Sequence, residues 1–167
     1  MNEYTAGNRY INLGGIGPEF AYHDASELRE FVTETNRLAN RKKLGNVFDS
    51  KSMLAAIDNF GDEASKIDKR HHDLAKDAEG KSAQLERMNE ALIQAERALA
   101  DDRGLRGRTW FKHQIYAPGF YTGYAALPFP DLRQAIEDGR TTDAAQAADR
   151  ITEAIRRAAE VLRKGRE

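Results

Sequence analysis

Cysteine is absent from this chain of 167 residues, which excludes disulfide bonds and thiolate metal ligands. Proline is scarce, and three of the four prolines lie between positions 118 and 130, so long stretches elsewhere are free to form helices. No apolar run is long enough to predict a membrane span, and the polar start Met1-Asn-Glu-Tyr does not predict a secretory leader. The cellular location is left open by these absences.

The chain also lacks an excess of either charge. It has 26 Lys and Arg against 27 Asp and Glu, a net charge of −1, and the two signs are interleaved along the sequence. This pattern gives no electrostatic footprint for nucleic acid and predicts no contact with an anionic membrane. The length fits one domain, which can bury about 70% of the surface of its unfolded chain.

Apolar residues recur at spacings of three and four residues in four long segments, which predicts four amphipathic helices. Their expected starts are Asp24 or Ser26, Asp49 or Ser50, Ser82, and Thr141 or Thr142. Gly61 interrupts the second pattern and predicts a kink or a close helix contact. Pro130 is expected to open a short helix that Gly139 closes.

The predicted fold is an all-α bundle of about four main helices, with a long aromatic loop between the third and last of them. The buried positions expected in the last helix are Ala144, Ala147, Ala148, Ile151, Ala154, Ile155, Ala158 and Leu162. Residues 1–23 lack helical periodicity and contain Gly14-Gly15 and Gly17-Pro18, so they are predicted to form an irregular arm. Residues 24–167 form the predicted domain.

The predicted loop, which we call the aromatic segment, runs from Trp110 to Leu132 with the sequence WFKHQIYAPGFYTGYAALPFPDL. Seven aromatic residues stand here among glycines and prolines that break helices. An ordered aromatic loop on a helical scaffold is typical of a binding surface. The alternative is a long connection that covers one end of the core.

The residues themselves predict no catalytic centre. His71 and His72 are adjacent on a predicted helix and point about 100° apart, and no histidine stands in a zinc-binding motif. There is no GxSxG motif, and the serines stand at helix starts or on charged faces. The glycine cluster at 14–17 lacks the lysine of a phosphate-binding loop. No metal site is predicted in this chain.

Three segments nevertheless carry a specific resemblance. They are IDNFGDEASKI at 57–67, MNEALIQAERALADDRGLRGRTWFKHQIYAPG at 88–119 and FPDLRQAI at 129–136. Together with the Ala-rich last helix, they make residues 24–164 resemble the C-terminal helical dimerisation domain of the transferrin receptor and glutamate carboxypeptidase II family.

The resemblance implies a non-catalytic homodimerisation domain of a zinc metallopeptidase-like protein, lacking the peptidase and apical domains. This chain is then expected to bind no cofactor, and zinc would be bound by the peptidase domain of a parent chain. That peptidase domain is also an implied partner. Members of that family are often exported or extracellular. The start at residue 1 is compatible with an excised fragment, a natural standalone domain or an engineered chain.

The resemblance also implies that the loop after Tyr116-Ala117-Pro118 reaches the substrate pocket of a full-length parent. Four residues are candidates for this loop: His113, Tyr116, Gly123 and Tyr124. In the carboxypeptidases a Lys-Tyr pair holds glutamate carboxylates, and here Gly123 replaces the lysine. Because glycine supplies no charge, selectivity for glutamate is not expected. The alternatives are the substrate-recognition part of a glutamate carboxypeptidase-like enzyme and a standalone helical protein-interaction module.

Overall fold

A computed structural model describes residues 19–76, 79–120 and 126–167, with side-chain surroundings from Ala25 onward. Within these ranges the chain forms five α-helices and one two-stranded antiparallel sheet. The helices are α1 (Glu19–Arg41), α2 (Ser50–Lys76), α3 (Ser82–Ala98), α4 (Pro130–Glu137) and α5 (Thr141–Arg166). The strands are β1 (Tyr116–Pro118) and β2 (Ala126–Pro128). The all-α bundle with four long helices and an intervening loop is therefore confirmed.

The central element is α5, which packs against α2, α3 and α4, while α1 lies on α2 and α4. All eight positions expected to be buried in this helix are buried. Thr152 and Ala159 are buried as well, because the helix has neighbours on several sides rather than one. Its alanine-rich surface is thus covered within the chain, so any contact with a second copy must use another surface.

Two glycines mark places where helix backbones approach closely. A Cβ atom on Gly61 would lie 3.0 Å from Cβ of Ala25, where α2 meets α1. A Cβ atom on Gly165 would lie only 2.0 Å from Cβ of Ala91, where α5 meets α3. The prediction of a close contact at Gly61 is confirmed.

The predicted start of the first helix is wrong. Helix α1 begins at Glu19, so residues 19–23, assigned to an irregular arm, are helical. No glycine or proline interrupts residues 19–41, and Glu19 suits the positive N-terminal end of a helix. Residues 1–18 of the predicted arm lie outside the described part of the chain.

Three other helix ends follow their local signals, and the start of α3 does so only in part. The carboxylate of Asp49 accepts a hydrogen bond from the backbone N–H of Ser52 and caps α2. Helix α3 begins at Ser82 as expected, but its capping position is Lys81 and no side chain provides a cap. Pro130 occupies the first turn of α4, and Gly139 follows its end with φ of +72°.

Within the described ranges, every helix is too short or too polar to span a membrane.

Candidate functional site

Two strands of the aromatic segment form a short hairpin that packs against α1. Strands β1 and β2 pair antiparallel, with Tyr116 opposite Pro128, Ala117 opposite Leu127 and Pro118 opposite Ala126. Below the strands, the N–H of Phe129 donates to the carbonyl of Ile115 at 2.8 Å, and both side chains are buried. The connection between the strands contains Gly123 and Tyr124, which lie outside the described residues.

The stem of this hairpin is tied to the end of α3. The N–H of Gln114 donates to the carbonyl of Leu99 at 3.0 Å, and the N–H of Asp101 donates to the carbonyl of Lys112 at 2.9 Å. These bonds make residues 99–101 and 112–114 a small antiparallel pair. The loop between them, residues 102–111, is therefore closed at its base.

His113, one of the predicted substrate-loop residues, is used to organise this stem. Its Nδ1 accepts hydrogen bonds from the backbone N–H groups of Ile115 (3.3 Å) and Tyr116 (3.1 Å). Its Nε2 lies 3.2 Å from a carboxylate oxygen of Glu96. Because Nδ1 acts as an acceptor, Nε2 carries the proton and donates to Glu96. Both ring nitrogens thus bond within the chain, so the described contacts of His113 are those of a residue that organises the loop.

Tyr116 contacts the bundle as well. Its ring packs edge-on against Phe31 of α1, with centroids 5.7 Å apart, and lies 6.3 Å from the His113 ring. Its hydroxyl donates to the carboxylate of Glu27 at 3.3 Å. Of the four predicted site residues, the structure brings His113 and Tyr116 together in the stem.

Arg108 is a residue that sequence reasoning missed. Only 9% of its surface is exposed, and its guanidinium lies 5.4 Å from the ring centroid of Phe111 and 5.3 Å from that of Phe120. One of its Nη atoms donates to the carbonyl of Pro118, the last residue of β1. A cation held between two rings and bonded to the strand end fixes the hairpin to the loop at 102–111. In the sequence, the feature that could have indicated Arg108 is its position between Gly107 and the Trp110-Phe111 pair.

Arginine–aspartate pairs fasten the same loop to α4 and α5. The backbone N–H of Arg106 donates to both carboxylate oxygens of Asp131 (3.1 and 3.0 Å), and the Arg106 guanidinium pairs with Asp143 at 2.6 Å. Arg150 pairs with Asp131 at 2.6 Å, and Arg140 bridges Asp138 and Asp143. These residues surround a cavity of about 230 Å³. Because each of these aspartates pairs with an arginine, the residues around the cavity join the loop to α4 and α5.

Asp101 closes the loop at 102–111 on the side of α3. Its carboxylate accepts hydrogen bonds from the side chain and the backbone N–H of Arg103, and these contacts lower the pKa of Asp101 to about 2. The contribution of this carboxylate to stability is present above its ordinary pKa of 3.8 and is lost as the pH falls towards 2.

Two large aromatic side chains of the segment point outward. Trp110 is 70% exposed and Phe120 is 51% exposed, the two large hydrophobic residues so exposed within the described ranges. Trp110 lies against Phe111, whose ring faces Arg108, and Arg108 faces Phe120. The four side chains contact one another in series, with Arg108 largely buried beside the rings, and we call this region the aromatic–arginine face.

No three His, Cys, Asp or Glu side chains of the described part of the chain are grouped so that they could hold a metal ion. The described residues therefore do not fit a zinc centre.

Comparison with known proteins connects this architecture with a family. The model of the transferrin receptor-like dimerisation domain matches residues 48–163, more than half of the chain. A probable glutamate carboxypeptidase of Arabidopsis thaliana is 31% identical over 129 residues, which are 73% of this chain and 18% of that protein. A second Arabidopsis protein with the same description is 27% identical over 145 residues, 76% of this chain and 21% of that protein.

An inactive zinc metalloprotease of Schizosaccharomyces pombe is 35% identical over 83 residues, half of this chain and 10% of that protein. The chain thus spans about a fifth or less of the length of these relatives. The matched region begins at Phe48, before α2, and ends near the end of α5, so it includes the hairpin and the loop at 102–111 but not α1. The chain belongs to the transferrin receptor-like dimerisation domain family.

Proposed function

We propose that this chain is the homodimerisation part of a zinc metallopeptidase-like protein and that it does not itself hydrolyse peptides. The observation that supports this most is the family match across α2–α5, a region whose described residues contain no metal-binding cluster. Zinc would bind in a peptidase domain of the parent. A two-fold symmetric dimer is the default for such an association.

The surface used for association is proposed to include the aromatic–arginine face. Because the alanines of α5 are buried inside the chain, they are not available to a second copy. Trp110 and Phe120, by contrast, are large and exposed, and aromatic side chains are enriched at interfaces. Contact with a parent's peptidase domain would use the same face in the alternative arrangement.

Light scattering across a range of protein concentrations is expected to show twice the monomer mass of 18.8 kDa. Trp110 is the only tryptophan, so its fluorescence reports on this face alone. If the dimer uses the face, the emission shifts to shorter wavelength as the dimer forms. A dimer without this shift would show that the dimer does not use this face, and a monomer mass at high concentration would contradict homodimerisation.

A second candidate function, substrate recognition, is favoured by the way the hairpin is held. Arg108, His113 and Tyr116 fix the stem of the connection that carries Tyr124. We infer that Tyr124 contacts substrate through its hydroxyl in a full-length parent. With Gly123 beside it, the site would lack the charge that selects a C-terminal glutamate.

Tyr124→Phe in a complete parent enzyme is expected to raise KM about five- to tenfold, since a hydrogen bond contributes about 1 kcal/mol. Tyr116→Phe is the matched control: it removes one hydroxyl from the stem, whose bond to Glu27 lies outside the connection, and is expected to change KM less than twofold. Unchanged KM and kcat in Tyr124→Phe would remove the ligand-binding role.

A further inference from the structure

A groove of about 260 Å³ runs between the C-terminal half of α1 and the start of α4, apart from the aromatic–arginine face. Its apolar surface comes from Phe31, Leu38 and Pro128. Its polar surface comes from three arginines, one glutamate and one threonine: Arg37, Arg41, Arg133, Glu34 and Thr35. Arg37 and Arg41 of this lining are exposed side chains on the surface of α1.

Arg37 and Arg41 are four residues apart and share one face of α1. Within the described ranges, neither guanidinium forms an ion pair or a hydrogen bond. Arg133 uses its Nε to bind Glu137 at 3.2 Å, which leaves its two terminal nitrogens without a described partner. Three guanidinium groups therefore line the groove with most of their donors free.

Thr35 adds an independent observation. It is 93% buried, since only 7% of its surface is exposed, yet its hydroxyl has no hydrogen-bond partner among the described residues. Thr33, two residues earlier, follows the usual helical pattern and donates to the carbonyl of Arg29 at 3.0 Å. Among the described residues, the fully buried polar side-chain atoms without a partner are the Nε atoms of Arg108, Arg150 and Arg166, so the Thr35 oxygen is not enclosed by protein. Because Thr35 lines the groove, its hydroxyl opens into the groove and is available to a molecule bound there.

The charges indicate the kind of ligand. Three arginines and Glu34 give the lining a net charge of +2. Lys42, next to Arg41, donates from Nζ to the backbone carbonyl of Glu137, while the Glu137 carboxylate pairs with Arg133. The carbonyl end of α1 also lies here, and it favours cations over anions, so anion binding would depend on the arginine side chains.

We propose that this groove binds a small organic phosphate, with the dianionic phosphate held by Arg37, Arg41 and Arg133. Planar guanidinium groups bind phosphate through paired hydrogen bonds, and the Thr35 hydroxyl donates to the same group or to its ester oxygen. The organic part lies on Phe31 and Pro128. The volume is below the range of about 300–1,000 Å³ typical of drug-sized ligands, which limits the ligand to one small ring or chain.

Phenyl phosphate is a suitable probe, titrated into the full chain by calorimetry at constant ionic strength. Saturable binding of one molecule per chain is expected at pH 7.5. At pH 5 the phosphate is largely a monoanion, since its second pKa is about 6, and binding weakens. Benzoate has the same ring with one charge and is expected to bind more weakly than phenyl phosphate. Equal binding of the two, or no saturable binding, would overturn the proposal.

Variants locate the site. Arg37→Gln/Arg41→Gln is expected to weaken binding more than about tenfold, because charge-assisted hydrogen bonds are strong. Lys69→Gln/Arg97→Gln is the matched control: it removes two exposed positive charges with no described ion pair and should change binding less than about twofold. Equal weakening in both double variants would show a general charge effect and contradict a built site.

Thr35→Val tests the groove-facing hydroxyl without removing a charge. It keeps the β-branched shape, so circular dichroism and thermal unfolding should show an intact fold, while binding weakens about fivefold. Phthalate, which carries its two charges on two carboxylates, should bind more weakly than phenyl phosphate. Tighter binding of phthalate, or unchanged binding to Thr35→Val, would overturn the assignment to phosphate.

Discussion

Replacing Gly104 by alanine is expected to lower the free energy of unfolding by about 3 kcal/mol or more. Gly104 has φ of +66°, and an added Cβ atom would lie 2.2 Å from the carbonyl oxygen of Thr109 and 2.6 Å from its Cα. These are backbone atoms, so no side chain can rotate to make room. The loop at 102–111 would have to open, together with the bond from the Leu105 N–H to the Phe111 carbonyl at 2.8 Å.

Gly139→Ala is the matched control for this change. Gly139 has φ of +72°, nearly the same backbone conformation, but a Cβ atom there meets nothing within 4 Å. It should cost about 1 kcal/mol, the penalty of the left-handed conformation alone. Urea unfolding of both variants measures the difference, with the denaturant slope checked for constancy. Equal losses at the two glycines would show that the contact with Thr109 is not rigid.

The helices could be predicted because their information is local and periodic. The stripe expected in α5 is buried, and Asp49, Pro130 and Gly139 mark helix ends as expected. Two buried residues of α5 were not predicted, because the periodic pattern is purely local. Ala159 and Thr152 lie outside a single stripe because α5 touches helices on several sides, and the pattern of one helix does not show how many neighbours it has.

The hairpin and its supports could not be predicted in the same way. Strands of three residues are too short for an alternating pattern, and Pro118 and Pro128 argue against strand structure unless pairing partners are known. Phe129 adopts φ of 48°, which no local signal indicates for a buried aromatic residue. The family resemblance indicates Tyr116 as a site residue. Its contact with Glu27 could not be predicted, because the two residues lie far apart in the sequence.

Glu63 shows why the burial of a charged residue is hard to predict from the sequence. The second half of α2 reads as a solvated charged face, yet Glu63 is only 6% exposed. It pairs with Lys66 at 2.7 Å and with Arg166 of α5 at 3.0 Å, and these hydrogen bonds outweigh burial, so the pKa of Glu63 is lowered. A charge that joins two helices is indistinguishable, in sequence, from a charge that faces water.

Arg108→Ala is expected to lower the free energy of unfolding by about 3 kcal/mol and to release the hairpin from the loop at 102–111. The change removes a cation held against Phe111 and Phe120 and leaves the Pro118 carbonyl without its donor. Arg106→Ala, two residues away, is the control. Its side chain is 57% exposed and its backbone bond to Asp131 is retained, so the loss should not exceed about 1 kcal/mol.

Two further variants separate the contributions of Arg108. Arg108→Met keeps an unbranched chain between the two rings but no donor, and Arg108→Lys keeps charge and a donor but not the planar group. Each is expected to lose about 1–2 kcal/mol, less than alanine. If methionine is as costly as alanine, the bond to Pro118 dominates, and if methionine costs nothing, packing between the rings suffices.

Hydrogen exchange links this stability change to the proposed role of the hairpin. The amides of Ala117 and Leu127 face each other across the strands and should exchange faster in Arg108→Ala but not in Arg106→Ala. Faster exchange confined to the hairpin would show that Arg108 positions the connection carrying Tyr124. Faster exchange throughout α5 would instead make Arg108 a part of the general core. A loss no larger than that of Arg106→Ala would contradict the role of Arg108 in either form.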